Sequence, residues 1–349
     1  DINNPMSRYL REGRFQEYPS ALIYVERVLS GGRTRRGLVG MVDLEQYSYE
    51  PGAATPVRAT EGTVLDRIPP RVAVRKNAPI ELPHVMLLVD DPEKGLIEPL
   101  SAQTGDMKLL YDFDLMERGG HVKGWLLTPE QREQVAREIQ ARKTRAGQER
   151  DGLVFVVGDG NHSLATAKEC YERRKGLTNP GQWPGLPSRY ALCELVNLHD
   201  EGLDFEPIHR VVFGVKPEEL LDALMEYYPS AVRGGGEGHT LVFSVNRWSQ
   251  GEVTVRNPSA RLEVDTLQRF LDDYLANHPR AWVDYIHGGD EARALAEERE
   301  DAVAFLLPAM DKGELFPTVI NYGALPRKTF SMGEAQDKRF YLEARRIRV

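Results

Sequence analysis

Cysteine is scarce in this chain, which contains only Cys170 and Cys193 among its 349 residues. Two cysteines cannot build a disulfide scaffold or supply a zinc site by themselves, and their scarcity is typical of a reducing, cytoplasmic compartment. No run approaches eighteen apolar residues, so the sequence predicts no transmembrane helix and no membrane partner. The polar residues 1–14 lack the apolar centre of a signal peptide.

Long runs of one charge are also absent, and the net charge of −8 is spread along the chain. A protein that wraps duplex nucleic acid needs a basic surface, so this charge balance disfavours nucleic acid as the partner. The sequence has no P-loop, no GxGxxG after a strand, no GxSxG and no HExxH. With 41% hydrophobic and 28% charged residues, it is an ordinary globular chain, long enough for two domains.

Short strands alternate with helices, which predicts an α+β (mixed α/β) fold with mixed sheets. In the N-terminal part, the predicted strands are 21–28, 35–43, 84–90, 121–127, 153–157 and 190–198. Thr128 and Pro129 predict the start of a helix that ends near residue 142. Beyond residue 210 the order becomes β-α-β-β-α-β, as in a ferredoxin-like unit. We therefore expect two domains, 1–210 and 211–349.

The segment 153–174 predicts a buried strand, a glycine turn and a helix. The residues of the turn are Gly158, Asp159, Gly160, Asn161, His162 and Ser163. Backbone N–H groups and a partial positive charge at such a helix start can hold a phosphate. A well-capped strand-to-helix corner explains the same residues equally well.

Asp159 has three interpretations in this turn. It caps the helix, it binds Mg²⁺ that bridges to phosphate, or it acts as a general base. His162 is a candidate phosphate donor, although a single histidine at a helix start is often a structural residue. The residue types leave these alternatives open.

Two further clusters contain charged groups suited to binding or catalysis. In the first, Arg58 flanks Glu61 and Thr63, and Glu61 is a candidate base held ionised by its neighbour. In the second, His209 and Arg210 precede a predicted strand, and Arg210 is a candidate clamp for a carboxylate or phosphate. Exposed loop charges are the alternative explanation of the first cluster. No spacing of the histidines matches a zinc site.

Taken together, these clusters resemble an uncharacterised bacterial family known as domain of unknown function 1015. The segment GDGNHSLATAK at 158–168 resembles the family's ADGHHRYxxA box, RATEGT at 58–63 its RPHExT segment, and FEPIHRVV at 205–212 its LPTHRxV segment. Further landmarks follow in the family's order, namely LEVDTL at 262–267, WVDYIHGGDEA at 282–292, FLLPA at 305–309 and LPRKTF at 325–330. The resemblance also implies a native segment before Asp1.

The box is in turn similar to the GxHR element of ParB partition proteins, sulfiredoxins and free serine kinases. This resemblance implies a ParB/sulfiredoxin-like N-terminal part that binds nucleotide phosphates, with ATP or ADP and Mg²⁺ as cofactors. It assigns the phosphate contacts to the turn at 158–163 and, by analogy, the base to Glu61. Ser163 departs from the family's arginine, which weakens phosphate binding unless Lys168, Arg210 or Arg327 replaces it.

Two functions therefore stand as hypotheses. The first is a nucleotide-dependent phosphotransferase acting on a small hydroxylated metabolite such as free serine, with Glu61 and Asp159 as catalytic groups. Arg58, Thr63, His209 and Arg210 would then bind the substrate. The second is a nucleotide or metabolite sensor without turnover. A ParB-like DNA clamp ranks last, because no helix-turn-helix pattern or basic face supports it, and a homodimer is left open.

Overall fold

The computed structural model describes residues 2–82, 85–246, 249–333, 335–338 and 340–348. Of the predicted strand 84–90, His84 therefore lies outside the described residues. The chain divides into two compact units. Unit 1 comprises residues 1–204, 319–324 and 333–349, and unit 2 comprises residues 205–318 and 325–332.

These units differ from the predicted continuous domains 1–210 and 211–349. Residues 205–213 form one uninterrupted strand, so a boundary at residue 210 would cut through it. Near the C-terminus, Arg345–Arg346 pairs with Ile80–Glu81, and this pairing places the segment 333–349 in unit 1. Neither the unbroken strand 205–213 nor the pairing of residues 345–346 with 80–81 was predicted, because strand pairing over long sequence separations leaves no local pattern.

Among the described residues before 205, unit 1 has four α-helices and ten strands. The helices are α1 (Asn3–Arg11), α2 (Ile68–Arg75), α3 (Pro129–Glu149) and α4 (Asn161–Lys175). The strands are β1 (Ile23–Val28), β2 (Thr34–Asp43), β3 (Tyr47–Ser48), β4 (Val57–Arg58), β5 (Ile80–Glu81), β6 (Met86–Val89), β7 (Lys108–Asp114), β8 (His121–Leu126), β9 (Phe155–Asp159) and β10 (Tyr190–Asn197).

The remaining strands are β11 (Phe205–Phe213), β12 (Ala231–Arg233), β13 (His239–Asn246), β14 (Ser249–Val255), β15 (Trp282–His287), β16 (Ala302–Leu306), β17 (Phe330–Met332) and β18 (Arg345–Arg346). The remaining helices are α5 (Pro217–Tyr227), α6 (Glu263–Asn277), α7 (Gly289–Glu297) and α8 (Leu315–Tyr322). Among the described residues, every helix is too short or too polar to span a bilayer.

A nine-stranded mixed sheet forms the centre of unit 1, with strand order β3-β4-β9-β6-β10-β2-β1-β8-β7. The pairs β3–β4, β4–β9 and β6–β10 are parallel, whereas β6–β9 and the strands from β10 to β7 pair antiparallel. This arrangement confirms the predicted mixed sheet. Parallel β4 and β9 place the segment after residue 58 and the glycine turn after residue 159 at the same end of the sheet.

Local sequence signals account for several of these elements. Thr128 caps α3 in a capping box with Gln131, as predicted, although the helix continues to Glu149 because no breaker interrupts it at residue 142. On α4, the side chains of Leu164, Ala167 and Tyr171 are buried in the core of unit 1, which confirms the predicted apolar face. This burial fixes the orientation of the glycine turn that precedes α4.

Unit 2 contains the predicted order β-α-β-β-α-β in β11, α5, β13, β14, α6 and β15, with β12 as an additional short strand. Its sheet has the order β12-β14-β13-β16-β11-β15, and β17 also pairs with β11. The later strand β16 thus lies between β11 and β13. One face of the sheet packs on α5 and α6, and the opposite face packs on α7 through Ala292 and Ala296.

Candidate functional site

The glycine turn joins the end of β9 to the first residue of α4. Gly160 is the N-cap residue, with φ 91° and ψ 26°, a left-handed conformation that favours glycine. The first helical hydrogen bond of α4 runs from the Leu164 N–H to the Gly160 carbonyl, at 2.9 Å. The N–H groups of residues 161–163 precede that bond, so the geometry is that of a helix start able to face an anion.

The segment 58–64 lies directly against this helix start. The Thr60 N–H donates to Asn161 Oδ1 at 3.1 Å, and Asn161 Nδ2 donates to Thr60 Oγ1 at 3.1 Å. Four residues later, the Val64 N–H donates to His162 Nε2 at 3.2 Å. Glu61 and Thr63 lie between these two attachment points. The structure therefore brings together the two clusters that the sequence could place only separately.

These contacts define the roles of Asn161 and His162. The Asn161 side chain is buried and binds Thr60 in both directions, so it holds the segment 58–64 rather than a cofactor. His162 Nε2 accepts a backbone N–H, which requires a neutral ring with its proton on Nδ1. Both side chains therefore hold the segment 58–64 against the start of α4.

Replacing Asn161 by alanine is expected to loosen the segment 58–64. The change leaves the buried Thr60 N–H and hydroxyl without their amide partner, a loss of about 1–3 kcal/mol. Hydrogen exchange at the Thr60 amide should accelerate, while α4 stays folded. Asn179→Ala, which removes an exposed capping side chain elsewhere in unit 1, is the matched control. Unchanged exchange at Thr60 would contradict the assigned role.

Asp159 lies at the end of β9 and is partly exposed. Its Oδ1 accepts the Gly160 N–H at 2.9 Å, and its Oδ2 lies 3.6 Å from Lys338 Nζ. The carboxylate therefore accepts a hydrogen bond from the backbone of the turn, at the N-cap residue Gly160. Lys338 is a site residue that sequence reasoning missed, because it lies far along the chain and no local motif marks it.

Thr63 has a hydroxyl group without a partner. Its Oγ1 is buried, and no hydrogen-bond acceptor or donor within the described residues reaches it. Buried hydroxyl groups are nearly always hydrogen-bonded, so an orphan beside the glycine turn calls for an explanation. A ligand oxygen is one group that would satisfy it.

Arg58 does not face the site as a substrate clamp. Its side chain is buried, and its guanidinium donates to the Thr55 carbonyl at 2.9 Å and to the carbonyl and carboxylate of Asp151. Those bonds brace the loop before β9, and they correct the predicted substrate-binding role. Arg58 is buried because it lies in β4, where Val57 and Arg58 pair with Phe155 and Val156 of β9.

His209 and Arg210 belong to unit 2. Arg210 is fully buried, and its guanidinium donates to Gln268 Oε1 at 3.2 Å, to the carbonyls of Arg327 and Lys328 at 2.9 Å, and to the Ile208 carbonyl. A guanidinium committed to four protein acceptors cannot clamp a substrate. The predicted role of Arg210 is therefore corrected to a structural one.

The other cations proposed to replace the family's arginine are also committed elsewhere. Lys168 Nζ donates to the Leu44 carbonyl at 2.9 Å and pairs with Glu172 at 2.8 Å. Arg327 lies in unit 2, where its Nε donates to the Tyr285 hydroxyl. Across the described residues, no group of three or more His, Cys, Asp or Glu side chains could hold a metal ion. The Mg²⁺ contact predicted at Asp159 stays a prediction.

With this geometry in view, comparison with known proteins identifies the family. A family model described as "Protein of unknown function (DUF1015)" matches residues 1–279, so the chain belongs to this family. No curated protein matches the chain.

Several solved structures align with most of the chain at low identity. A conserved hypothetical protein from Pyrococcus furiosus is 11% identical, with 89% of this chain and 95% of that chain covered and a TM-score of 0.46. A free serine kinase in complex with AMP is 10% identical, with 84% and 87% covered and a TM-score of 0.46. SbnI with a C-terminal truncation, from Staphylococcus aureus, is 9% identical, with 85% and 83% covered and a TM-score of 0.44.

Proposed function

We propose that unit 1 binds a nucleotide at the glycine turn and transfers a phosphoryl group to a small hydroxylated metabolite such as free serine. The observation that carries this proposal is the attachment of the segment 58–64 to the start of α4, through Thr60–Asn161 and Val64–His162. Glu61 belongs to the attached segment, so the attachment supports a carboxylate close to a phosphate-type turn. The resemblance of the turn to the GxHR element supports the same conclusion.

Phosphate binding in this proposal uses the backbone of the turn. Gly160 adopts the left-handed conformation that lets the N–H groups of 161–163 converge on one point. The helix dipole adds about 0.3–1 kcal/mol for an anion at this position. Thr63 Oγ1, the buried hydroxyl without a partner in the described chain, would donate to a ligand oxygen. Gly158 lies in β9, directly before the turn.

Glu61 is the proposed general base. It accepts the proton of the substrate hydroxyl while the hydroxyl oxygen forms its bond to the terminal phosphorus, and the shortened nucleotide leaves with the electrons of the broken P–O bond. Its position between two fixed backbone contacts supports this role, because a base must be held at a defined place to act.

Asp159 and Lys338 set the charge of the turn. The carboxylate of Asp159 beside a phosphate would be repulsive alone, and the ammonium of Lys338 at 3.6 Å offsets it. Mg²⁺ usually takes one or two carboxylates together with phosphate oxygens and water, so a single Asp159 is compatible with such an ion. When bound, that ion would neutralise charge on the phosphates.

Ser163 favours a second candidate function, nucleotide binding without turnover. The family's box has an arginine at this position, and an arginine supplies two charge-assisted hydrogen bonds to phosphate where serine supplies one neutral bond. The three cations expected to compensate, Lys168, Arg210 and Arg327, lie in other contacts. A sensor tolerates this loss more easily than a phosphotransferase does.

Thermal unfolding in the presence of nucleotides tests both candidates. A ligand at one hundred times its Kd stabilises the folded protein by about 2.7 kcal/mol. We expect ATP or ADP with Mg²⁺ to raise the melting temperature by several degrees, and CTP and GTP to serve as comparisons. Ser163→Arg should increase the shift, since it restores the family's phosphate contact. No shift with any nucleotide would refute both functions. If a nucleotide does raise the melting temperature, a transfer assay with serine separates the phosphotransferase from the sensor.

A further inference from the structure

A second arrangement of anion-binding groups lies in unit 2, where α7 begins. Along β11, side chains alternate between the two faces of the sheet, so His209 lies on the same face as Val211 and Phe213. Those two residues pack against Ala292 and Ala296 of α7. The side chain of His209 therefore points to the face of the sheet that α7 covers.

His209 is 6% exposed and has one hydrogen bond that fixes its tautomer. The Leu307 N–H donates to His209 Nδ1 at 3.0 Å, so the neutral ring carries its proton on Nε2. Within the parts of the chain that the structure describes, that Nε2–H has no acceptor. That N–H is therefore available to donate to an oxygen of a bound anion.

The unsatisfied donor is aimed at the first residue of α7. If Gly289 carried a Cβ atom, that atom would lie 3.6 Å from His209 Nε2 and 3.5 Å from Arg293 Nη1. The repeating backbone pattern of α7 begins with the Ala292 N–H and the Gly288 carbonyl, at 3.2 Å, so the N–H groups of residues 289–291 precede it. Two side-chain donors thus lie near the first residue of α7, Gly289, which has no side chain of its own.

The charges around His209 also favour an anion. Its pKa is lowered first by burial and then by its neighbours Arg293, Arg210 and His287. The carboxylates nearby are Asp290 and Glu291. Asp290 Oδ1 binds Arg293 Nη1 at 3.1 Å with its side chain 97% exposed, and Glu291 folds back over Gly288. An ion pair this exposed is weak and exchanges readily for a ligand oxygen.

We propose that His209, Arg293 and the first turn of α7 form a binding site for a small oxyanion, either a phosphate group or a carboxylate. An oxygen of the ligand would accept from His209 Nε2 and from the Arg293 guanidinium, and the helix start would supply backbone donors. This proposal does not depend on the function proposed for unit 1.

Calorimetric titration of the whole protein with inorganic phosphate, and in parallel with acetate, tests the site. Gly289→Ala is the key variant, because its methyl group would occupy the point between the two donors at ordinary contact distances. Arg293→Gln removes the cation. His209→Asn keeps an acceptor for the Leu307 N–H and removes the Nε2 donor. We expect each variant to weaken binding about tenfold or more, and stronger binding of phosphate or of acetate identifies the source of the oxyanion.

Two controls match these variants in unit 2. Arg299→Gln breaks an exposed pair with Asp301 that resembles the Arg293–Asp290 pair, and Gly236→Ala adds a methyl group in open contact. Both should bind as the unchanged protein does. Absence of binding to either anion at tens of millimolar would overturn the proposal, as would equal affinity of Gly289→Ala and the unchanged protein. The imidazole ¹⁵N signals should show Nε2–H before anion is added.

Discussion

Replacing Glu61 by glutamine is expected to lower phosphoryl transfer by about 10²–10⁴-fold while nucleotide binding is retained. Glutamine has the size of glutamate but cannot accept the proton of the substrate hydroxyl. The two contacts that hold the segment, Thr60 with Asn161 and Val64 with His162, do not involve the Glu61 side chain, so the segment should keep its position. Transfer is measured with radiolabelled nucleotide and serine, and binding by the nucleotide-induced thermal shift.

Glu50→Gln is the control for this experiment, because Glu50 is an exposed carboxylate of the same unit. It should transfer phosphate at the unchanged rate. If Glu61→Gln turns over as fast as the unchanged protein, Glu61 is not the base, whereas the binding role of the glycine turn would stand. If the unchanged protein binds nucleotide and never transfers phosphate, the sensor function is the one supported.

Arg210→Met should destabilise unit 2 by about 1–3 kcal/mol, because it removes the donors from the buried Ile208 carbonyl and the buried Gln268 side chain. The carbonyls of Arg327 and Lys328, which are only partly buried, lose their donor as well. Arg210→Lys should recover only part of the loss, since an ammonium cannot reproduce the planar fork of a guanidinium. Denaturant unfolding and hydrogen exchange at the β11 amides report the change.

The exposed Arg327 provides the matched control. Arg327→Ala removes a side chain that contacts the Tyr285 hydroxyl and lies 3.9 Å from Asp272, but it keeps the backbone carbonyl to which Arg210 donates. Its unfolding free energy should change by less than about 1 kcal/mol. A stable Arg210→Met protein that loses substrate affinity would instead restore the clamp role predicted from sequence.

Local patterns predicted much of the fold. The capping residue Thr128, the apolar spacing of Leu164, Ala167 and Tyr171, and the β-α-β-β-α-β order all report interactions between residues close in sequence, and the structure contains each of them. The insertion of β16 between β11 and β13 was not predictable in this way, because strand neighbours are chosen by packing over long separations.

The sequence indicated which residues belong to the candidate motifs, but it predicted the contacts and roles of those residues less well. The sequence marks Asn161, Arg58 and Arg210 as polar groups in suggestive motifs, but burial decides whether such a group faces a ligand or the protein. All three turn out to bind protein atoms. Lys338 shows the converse, since nothing in its neighbourhood along the chain indicates a contact with Asp159. Only the fold could bring those two residues together.

The division of unit 1 into separate chain segments has a consequence for biosynthesis. As the chain leaves the ribosome, residues 1–204 emerge first, then residues 205–332, which contain all of unit 2, and only afterwards the segment 333–349, which contributes β18, the pairing partner of β5. Unit 1 therefore cannot complete its contacts until unit 2 has been translated. Nascent unit 1 would wait with β5 unpaired, the kind of exposed edge that molecular chaperones cover.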